Sequence, residues 1–309
     1  MADLTPRTVF HESWWLDAVA PDSWDEVTVD GDQGPVGRWR FARRRRFGLT
    51  QLGAPPLTPY LGPEIAPGEG KRTKLLSRDH DLKQELIAAL PRHDMLLFGS
   101  PPDDLNHLPF GWAGFDVRPR VTYELRELHD QEARWKDCSE STRRAIRKAE
   151  KRLTVVSRGD AGELHRMMSA TFERQDRRAP VDEALLHRVV RESTERGQGM
   201  TLSALDDDGR LHASVLLAWD DDRTYYLGGG ADPDLRSSGA QSLLLWEAIK
   251  HAATTSRVFD FEGSMVPGIE RFFRGFGAHQ QIWFQYLHFG RVAGAGYRAV
   301  EAARHLAGR

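Results

Sequence analysis

Two acids, Asp260 and Glu262, stand at alternate positions of the segment Val258-Phe259-Asp260-Phe261-Glu262-Gly263-Ser264. Strand side chains alternate, so Phe259 and Phe261 point one way and the two carboxylates the other. Burying carboxylates at the end of an apolar strand is costly. That leaves two readings: a face turned into a polar cleft, or an exposed edge strand with solvated acids. In a cleft, such a carboxylate takes a proton from an attacking amine or orients it. Glu262 is the first choice for this role and Asp260 the second. Asp260 alternatively holds a backbone turn or pairs with Arg274. Gly263 lets the chain turn or a ligand come close.

The next stretch, Ile269-Glu270-Arg271-Phe272-Phe273-Arg274-Gly275-Phe276-Gly277, is aromatic and basic. Ser264, Arg274 and Phe276 are its candidate substrate contacts. Upstream lies Thr224-Tyr225-Tyr226-Leu227-Gly228-Gly229-Gly230, a strand ending in three glycines. The tyrosines point to opposite faces, so at most one meets a cleft. Tyr226 is a candidate to give its proton to a leaving group or to align the acceptor. The glycines mark a bulge, a close ligand approach or a flexible tight turn. Amides at Gly228 and Gly229 could bind an oxyanion.

A helix is expected over residues 139–153, with Ser and Thr caps. Arg143, Arg147 and Lys151 form one stripe on it, and Arg144, Lys148 and Arg152 the adjacent one. A charged helical face is commonly just solvated, but this one is nearly single-signed. It reads as a surface for phosphate or an RNA backbone, gripped by Arg143, Arg147 and Lys148.

The elements that must position these residues follow from periodicity. A helix is expected over 10–20, then a hairpin of strands 25–30 and 36–47. The second strand ends in Arg43-Arg44-Arg45-Arg46, either a solvated edge that blocks aggregation or an anion site. A rigid Pro/Gly-rich loop over 55–67 carries Tyr60, which would border the acceptor. Helix 81–90, strand 94–98 and strand 120–125 complete the first half. In the second half come helices 163–172 and 182–196 with a basic turn 174–178 between them. A meander follows: 200–205, 211–219 and 224–230. Helix 240–253, strand 258–262, strand 281–287 and a basic amphipathic tail 290–309 close the chain.

The halves repeat one order: hairpin, glycine-rich segment, helix, strand ending in Gly-Ser, aromatic-glycine stretch, closing strand. Phe98-Gly99-Ser100 answers Glu262-Gly263-Ser264, and Phe110-Gly111-Trp112-Ala113-Gly114-Phe115 answers Phe272-Phe273-Arg274-Gly275-Phe276-Gly277. Only the second copy has the two acids. Two subdomains of a mixed α/β (α+β sheet) class are expected, 1–128 as an acceptor-side wall and 129–309 as the catalytic part.

The chain has 309 residues and a net charge of −2, so attraction to nucleic acid or anionic membrane must come from local patches. A lone cysteine, Cys138, allows no internal disulfide and fits a reducing cytoplasm. No leader and no apolar run of bilayer length is seen, which points to a cytoplasmic protein without a membrane span. Even charge and the lack of an apolar stripe point to a monomer. The histidines show no paired ligand spacing, so no metal is implied.

A meander, a glycine-containing entry to a helix and then a strand resembles the core of the GNAT acyltransferases. Two such cores in tandem resemble the FemABX family of aminoacyl-tRNA-dependent transferases. The resemblance rests on Arg143-Arg144-Ala145-Ile146-Arg147-Lys148-Ala149, Tyr225-Tyr226-Leu227-Gly228-Gly229 and the two segments from 259 to 264 and 269 to 277. It implies two GNAT-like subdomains around a shared cleft and amide formation by acyl transfer to an amine. The implied donor is an aminoacyl-tRNA co-substrate, with no tightly bound cofactor. The acceptor would be a peptide, nucleotide-linked or small-molecule amine. Ordinary GNAT enzymes use acetyl-CoA, held by a Gln/Arg-x-x-Gly-x-Gly/Ala loop at a helix N-terminus. Here the matching stretch is Arg236-Ser237-Ser238-Gly239-Ala240-Gln241, with Arg236 and Gly239 in register and Gln241 where a small residue is expected. Acetyl-CoA is therefore the alternative donor. A non-catalytic RNA-binding protein is the alternative of a different class.

Overall fold

A computed structural model describes residues 4–32, 34–173, 179, 181–263, 265–290 and 294. Ser264, the basic turn 174–178 and most of the expected tail helix lie outside the described residues. In chain order the first elements are α1 (Ser13–Val19), β1 (Trp24–Gly31), β2 (Gly34–Arg46), β3 (Leu49–Gly53), β4 (Glu64–Ile65), α2 (Arg72–Ala89), β5 (Met95–Ser100), α3 (Leu108–Trp112) and β6 (Asp116–Leu125). The remainder are α4 (Gln131–Asp137), α5 (Glu140–Glu150), β7 (Thr154–Ser157), α6 (Ala161–Glu173), α7 (Glu183–Glu195), β8 (Gly199–Leu205), β9 (Leu211–Trp219), β10 (Arg223–Ala231), α8 (Ala240–Thr255), β11 (Val258–Asp260), α9 (Pro267–Arg274) and β12 (His279–Phe289). This is the expected mixed α/β class. The tandem order is visible in the pairings: β3 runs parallel to β5 in the first half, and β10 parallel to β11 in the second.

Two compact units result, Met1–Arg120 with Trp283–Arg309, and Val121–Ile282. They differ from the linear split expected at 128/129. In the first unit the order is β1-β2-β3-β5 followed by Phe284–Phe289 of β12, antiparallel to β5. In the second, β8, β9 and β10 form the meander, β10 continues to β11, and β11 pairs antiparallel with Glu124 and Leu125 of β6. Each unit is thus closed by a strand from the opposite half of the sequence.

The alternation rule explains the first core. On β2, Trp39 and Phe41 point inward, while Arg38 and Arg40 between and beside them pair with Glu64 and Glu26. Phe98 stacks on Tyr286 with ring centroids 4.6 Å apart and planes 10° apart. Every residue of β9 is buried, the continuous pattern of a central strand covered on both faces. Helix α8 seals the second unit with Leu244, Leu245, Ala248, Ile249 and Ala252, and α5 adds Ile146 and Ala149.

Glycine decides how close α6 comes to β10. A Cβ at Gly230 would stand 1.9 Å from the Met167 carbonyl oxygen, so only a bare backbone fits. Gly230→Ala should therefore destabilise the protein by about 1–3 kcal/mol, the usual range for overpacking. Gly111→Ala, which meets nothing within 4 Å, should be close to neutral. Urea unfolding of the two variants beside the wild type checks this.

Candidate active site

The site begins where two parallel strands part. Arg223, Thr224 and Tyr225 of β10 are in register with Val258, Phe259 and Asp260 of β11. There β11 ends, while β10 runs on to Ala231. Beyond Tyr225, the β10 amides that point away from β9 have no strand partner from β11. Against β9, β10 shifts register between Tyr226 and Gly228, as expected of a bulge. A cavity of about 560 Å³ opens beside this stretch. Its walls are Tyr226, Gly229 and Gly230 of β10, the first turn of α8 at Gly239 to Ser242, and Ile269, Phe272 and Phe273 of α9.

Asp260 does not face this cavity. It is fully buried, and its Oδ2 accepts from Arg223 at 3.1 Å. Arg223 also bonds Glu124, itself fully buried, and Thr122 donates its hydroxyl to Asp260 Oδ1. The same Oδ1 accepts the Glu262 amide at 2.8 Å. Asp260 is therefore the holder of a backbone turn, and its expected service as a second base gives way to that. Burial raises its pKa, opposed by Arg223 and Thr122. Its expected partner Arg274 is exposed and pairs instead with Glu270 at 2.7 Å, while Glu270 accepts from Tyr123 at 2.7 Å. That chain ties α9 to β6 through Tyr123.

Glu262 departs from the strand pattern for a backbone reason. Its φ is +56° and that of Gly263 is +65°, two successive left-handed residues that end the strand in a sharp turn. A Cβ at 263 would lie 2.0 Å from the Val121 carbonyl oxygen, so glycine is required there. A left-handed glutamate stores strain of a kind that clusters at functional sites. Phe261 goes to the core as expected. The Glu262 Oε1 is buried without a hydrogen-bond partner among the described residues. Burial, with the nearby charge of Asp260, pushes its pKa well above the ordinary glutamate value. It is a carboxyl that holds its proton to unusually high pH.

Tyr226 lines the cavity, whereas Tyr225 is buried and bonds Asp220 at 3.3 Å. The Tyr226 hydroxyl accepts from Gln241 Nε2 at 3.0 Å, which leaves its own proton to be donated elsewhere. Burial chiefly raises its pKa, and the charge of Glu262 adds to this, so the phenol stays protonated. Gln241 Oε1 is buried and has no partner among the described residues. In sequence Gln241 reads only as a departure from the CoA-loop pattern. Sequence reasoning missed Arg223 and Glu124 altogether, because residues 99 positions apart give no local signal.

The other candidates scatter. Gly229 and Gly230 line the cavity, and Gly228 has φ +154° beside Met168. Arg236 and Gly239 sit at the cavity rim, and a Cβ at Gly239 would meet the Ala145 carbonyl oxygen at 2.5 Å. Arg143 is spent on the end of α4, donating to Lys136 O at 2.8 Å. Arg147 lies 5.4 Å from the Trp135 ring, and Lys148 donates to Ser237 O. Lys148, Lys151 and Arg152 border a hollow whose other wall is Asp206, Asp207, Asp208 and Asp234, so the helix face is less single-signed than it reads. Tyr60 is fully buried between Phe10 and Trp283, and Phe276 fully buried against Phe261 and Phe272. Both are packing residues, and their expected roles as substrate contacts are corrected accordingly. Burial pushes the Cys138 thiol up to about 11, which makes it a poor nucleophile.

Residues 136–274, all within the unit that holds the cavity, match the acetyltransferase (GNAT) domain family. Among solved structures, FemX is similar at 14% identity over 94% of this chain and 93% of that one, with a TM-score of 0.69. The C-terminal domain of a putative lysylphosphatidylglycerol synthetase from Agrobacterium fabrum is similar at 13% identity over 89% and 87%, TM-score 0.54. A tandem GNAT protein from the clavulanic acid biosynthesis pathway is similar at 13% identity over 86% and 83%, TM-score 0.54. A comparison with curated proteins gives no significant match. The fold is that of the GNAT acyltransferases. Within that class the chain has a FemABX-like, tandem-GNAT fold. No helix among the described residues is long and apolar enough to cross a membrane.

Two measurements probe the buried charges. Arg223→Met leaves Asp260 buried without its cation, and Glu124 with Arg126 alone at 2.9 Å, and should cost about 3–5 kcal/mol in denaturant unfolding. For Glu262, a raised folded-state pKa contributes stability fully below the unfolded value and loses it as pH rises through the folded one. Wild type should therefore lose stability relative to Glu262→Gln as pH rises above 4.5, seen in unfolding titrations of both proteins across pH.

Proposed function

We propose that this chain forms amide bonds by moving an acyl group from an aminoacyl-tRNA ester to an amine of a peptide, nucleotide-linked or small-molecule acceptor. The observation that carries the reading lies beside a strand divergence in a GNAT-type unit: a Glu262 carboxyl oxygen without a hydrogen-bond partner among the described residues, and a protonated, cavity-lining Tyr226 close enough to feel the charge of Glu262. An amine nitrogen attacks the ester carbonyl and its proton passes to Glu262 in its ionised form, which the raised pKa confines to the upper part of the pH range. The C–N bond forms, and a β10 amide at Gly228 or Gly229 takes the oxyanion. The C–O bond to the ribose then breaks. The ribose oxygen receives the Tyr226 proton, and Glu262 returns one to Tyr226. An ester is already activated, so positioning supplies much of the acceleration. Arg147, exposed, remains for donor phosphates, whereas Lys148 would have to leave the Ser237 carbonyl.

Gln241 supports the ester donor. Its side chain stands in the first turn of α8, anchored on Tyr226, where CoA loops carry a small residue. Its buried Oε1 is an acceptor suited to the α-amino group that an aminoacyl donor has and an acetyl donor lacks. Acetyl-CoA is the second reading, favoured by Arg236, Ser238 and Gly239 lining the same cavity at the N-terminus of a 16-residue helix.

Mass spectrometry of products separates the two. The protein is incubated with bulk charged tRNA or with acetyl-CoA, each with a pool of amine acceptors that includes cell-wall nucleotide precursors and small peptides. The expected product gains an amino-acid residue mass, and none forms when the tRNA is digested with RNase beforehand. An acetyl gain indifferent to RNase would overturn the donor assignment. With the productive pair, Glu262→Gln should lower kcat by about 10²–10⁴-fold. In wild type, kcat/KM should rise with pH through an upward-displaced carboxyl pKa, a limb that the variant lacks.

A further inference from the structure

The four successive arginines on β2 take no part in the site above. β1 pairs with β2 only as far as Trp24 opposite Ala42. Beyond that point β2 continues with β3 alone as a two-stranded ribbon: Arg43 opposite Leu52, Arg44 opposite Gln51, Arg45 opposite Thr50 and Arg46 opposite Leu49. All four arginines are exposed. Alternation puts Arg43 and Arg45 on one face and Arg44 and Arg46 on the other. Among the described residues none of the four has a carboxylate partner. This differs from α5, where Arg143 is spent on carbonyls and Arg144 lies 3.6 Å from Glu140.

The tip of the ribbon is stranger. Its two central residues are Phe47, φ +52°, and Gly48, φ +77°. A two-residue turn with both residues left-handed favours Asn, Asp or Gly at the first position. A bulky aromatic there costs backbone energy and should recover it by burial, yet Phe47 is 87% exposed. Its ring lies 5.0 Å from the Arg46 guanidinium. Solvation or edge protection accounts for the arginines, but not for this phenylalanine.

We propose that residues 43–49 form an RNA-binding arm, with guanidiniums of both faces on phosphates and Phe47 stacked on an unpaired base. A planar guanidinium pairs bidentately with phosphate. An aromatic ring stacks on any base. A flat anionic membrane would meet only one face of the ribbon and leave two arginines unsatisfied. A folded RNA, with grooves and splayed loop bases, meets both faces. The inference rests on the arm alone and its test needs no turnover.

The test measures fluorescence anisotropy of labelled, uncharged bulk tRNA titrated with the full chain at several salt concentrations. Replacing Arg43, Arg44, Arg45 and Arg46 together by Gln should weaken binding at least about tenfold and make the salt slope shallower by about 2–3. Phe47→Asn puts a preferred residue in the turn, so stability should hold or rise while RNA affinity falls about fivefold or more at an unchanged salt slope. Thermal unfolding of both variants verifies that they fold. Wild-type RNA affinity in both variants, or no RNA binding by the wild type, overturns the proposal. So does tight binding of wild type to phosphatidylglycerol vesicles that Phe47→Asn abolishes while tRNA binding persists, which would make the arm a lipid contact.

Discussion

Arg223 is the cation on which the second unit depends. It sits near the start of β10 and binds carboxylates from the strands packed around it, Glu124 of β6 and Asp260 of β11. All three groups are buried, so Arg223 and Asp260 are tolerable only in this company, while Glu124 has a second cation in Arg126. Residues distant in sequence are thereby held in one register. Because Asp260 also takes the Glu262 amide, the network fixes where β11 stops and how the next residue turns. The divergence of β10 from β11, and the cavity beside it, follow from that stop.

The consequence for chemistry is a division of labour between two acids that look alike in sequence. Asp260 is neutralised by its surroundings and gives stability and direction. Glu262 is pushed off the strand by its left-handed backbone, has one oxygen without a hydrogen-bond partner among the described residues, and through burial and the charge of Asp260 keeps an elevated proton affinity. Separating two neighbouring carboxyls into one structural and one titrating group requires only that their environments differ.

Much of the scaffold was legible because its signals are periodic. The strand at 211–219 and the helix from 240 carry their burial pattern openly, and the glycines at 228–230 announced close approach. The site was less legible. Alternation put Asp260 and Glu262 on one face, and failed because a positive φ at Glu262 breaks the two-residue period, which no propensity scale anticipates. Tyr60 and Phe276 read as lining residues since they lie in Pro/Gly-rich or glycine-flanked segments. Their rings instead turned inward to fill cores, the ordinary fate of a large aromatic. The helix at 140–150 read as single-signed because its counter-charges come from Asp206, Asp207, Asp208 and Asp234, far along the chain. Arg223 and Glu124 carried no signal at all, since a salt bridge across 99 positions leaves no trace in spacing.

The exchange of closing strands bears on the order in which the protein is made. The aromatic core of the first unit is built around Phe98, Phe110 and Tyr286, and Tyr286 lies on the strand that pairs with β5. A nascent chain therefore carries its N-terminal half through the synthesis of the second unit with β5 lacking that neighbour and Phe98 lacking its stacking partner. The second unit, whose borrowed strand has already left the ribosome, can close first. The N-terminal half reaches its native core after it, when β12 emerges, and until then presents an open sheet edge of the sort that chaperones and aggregation both recognise.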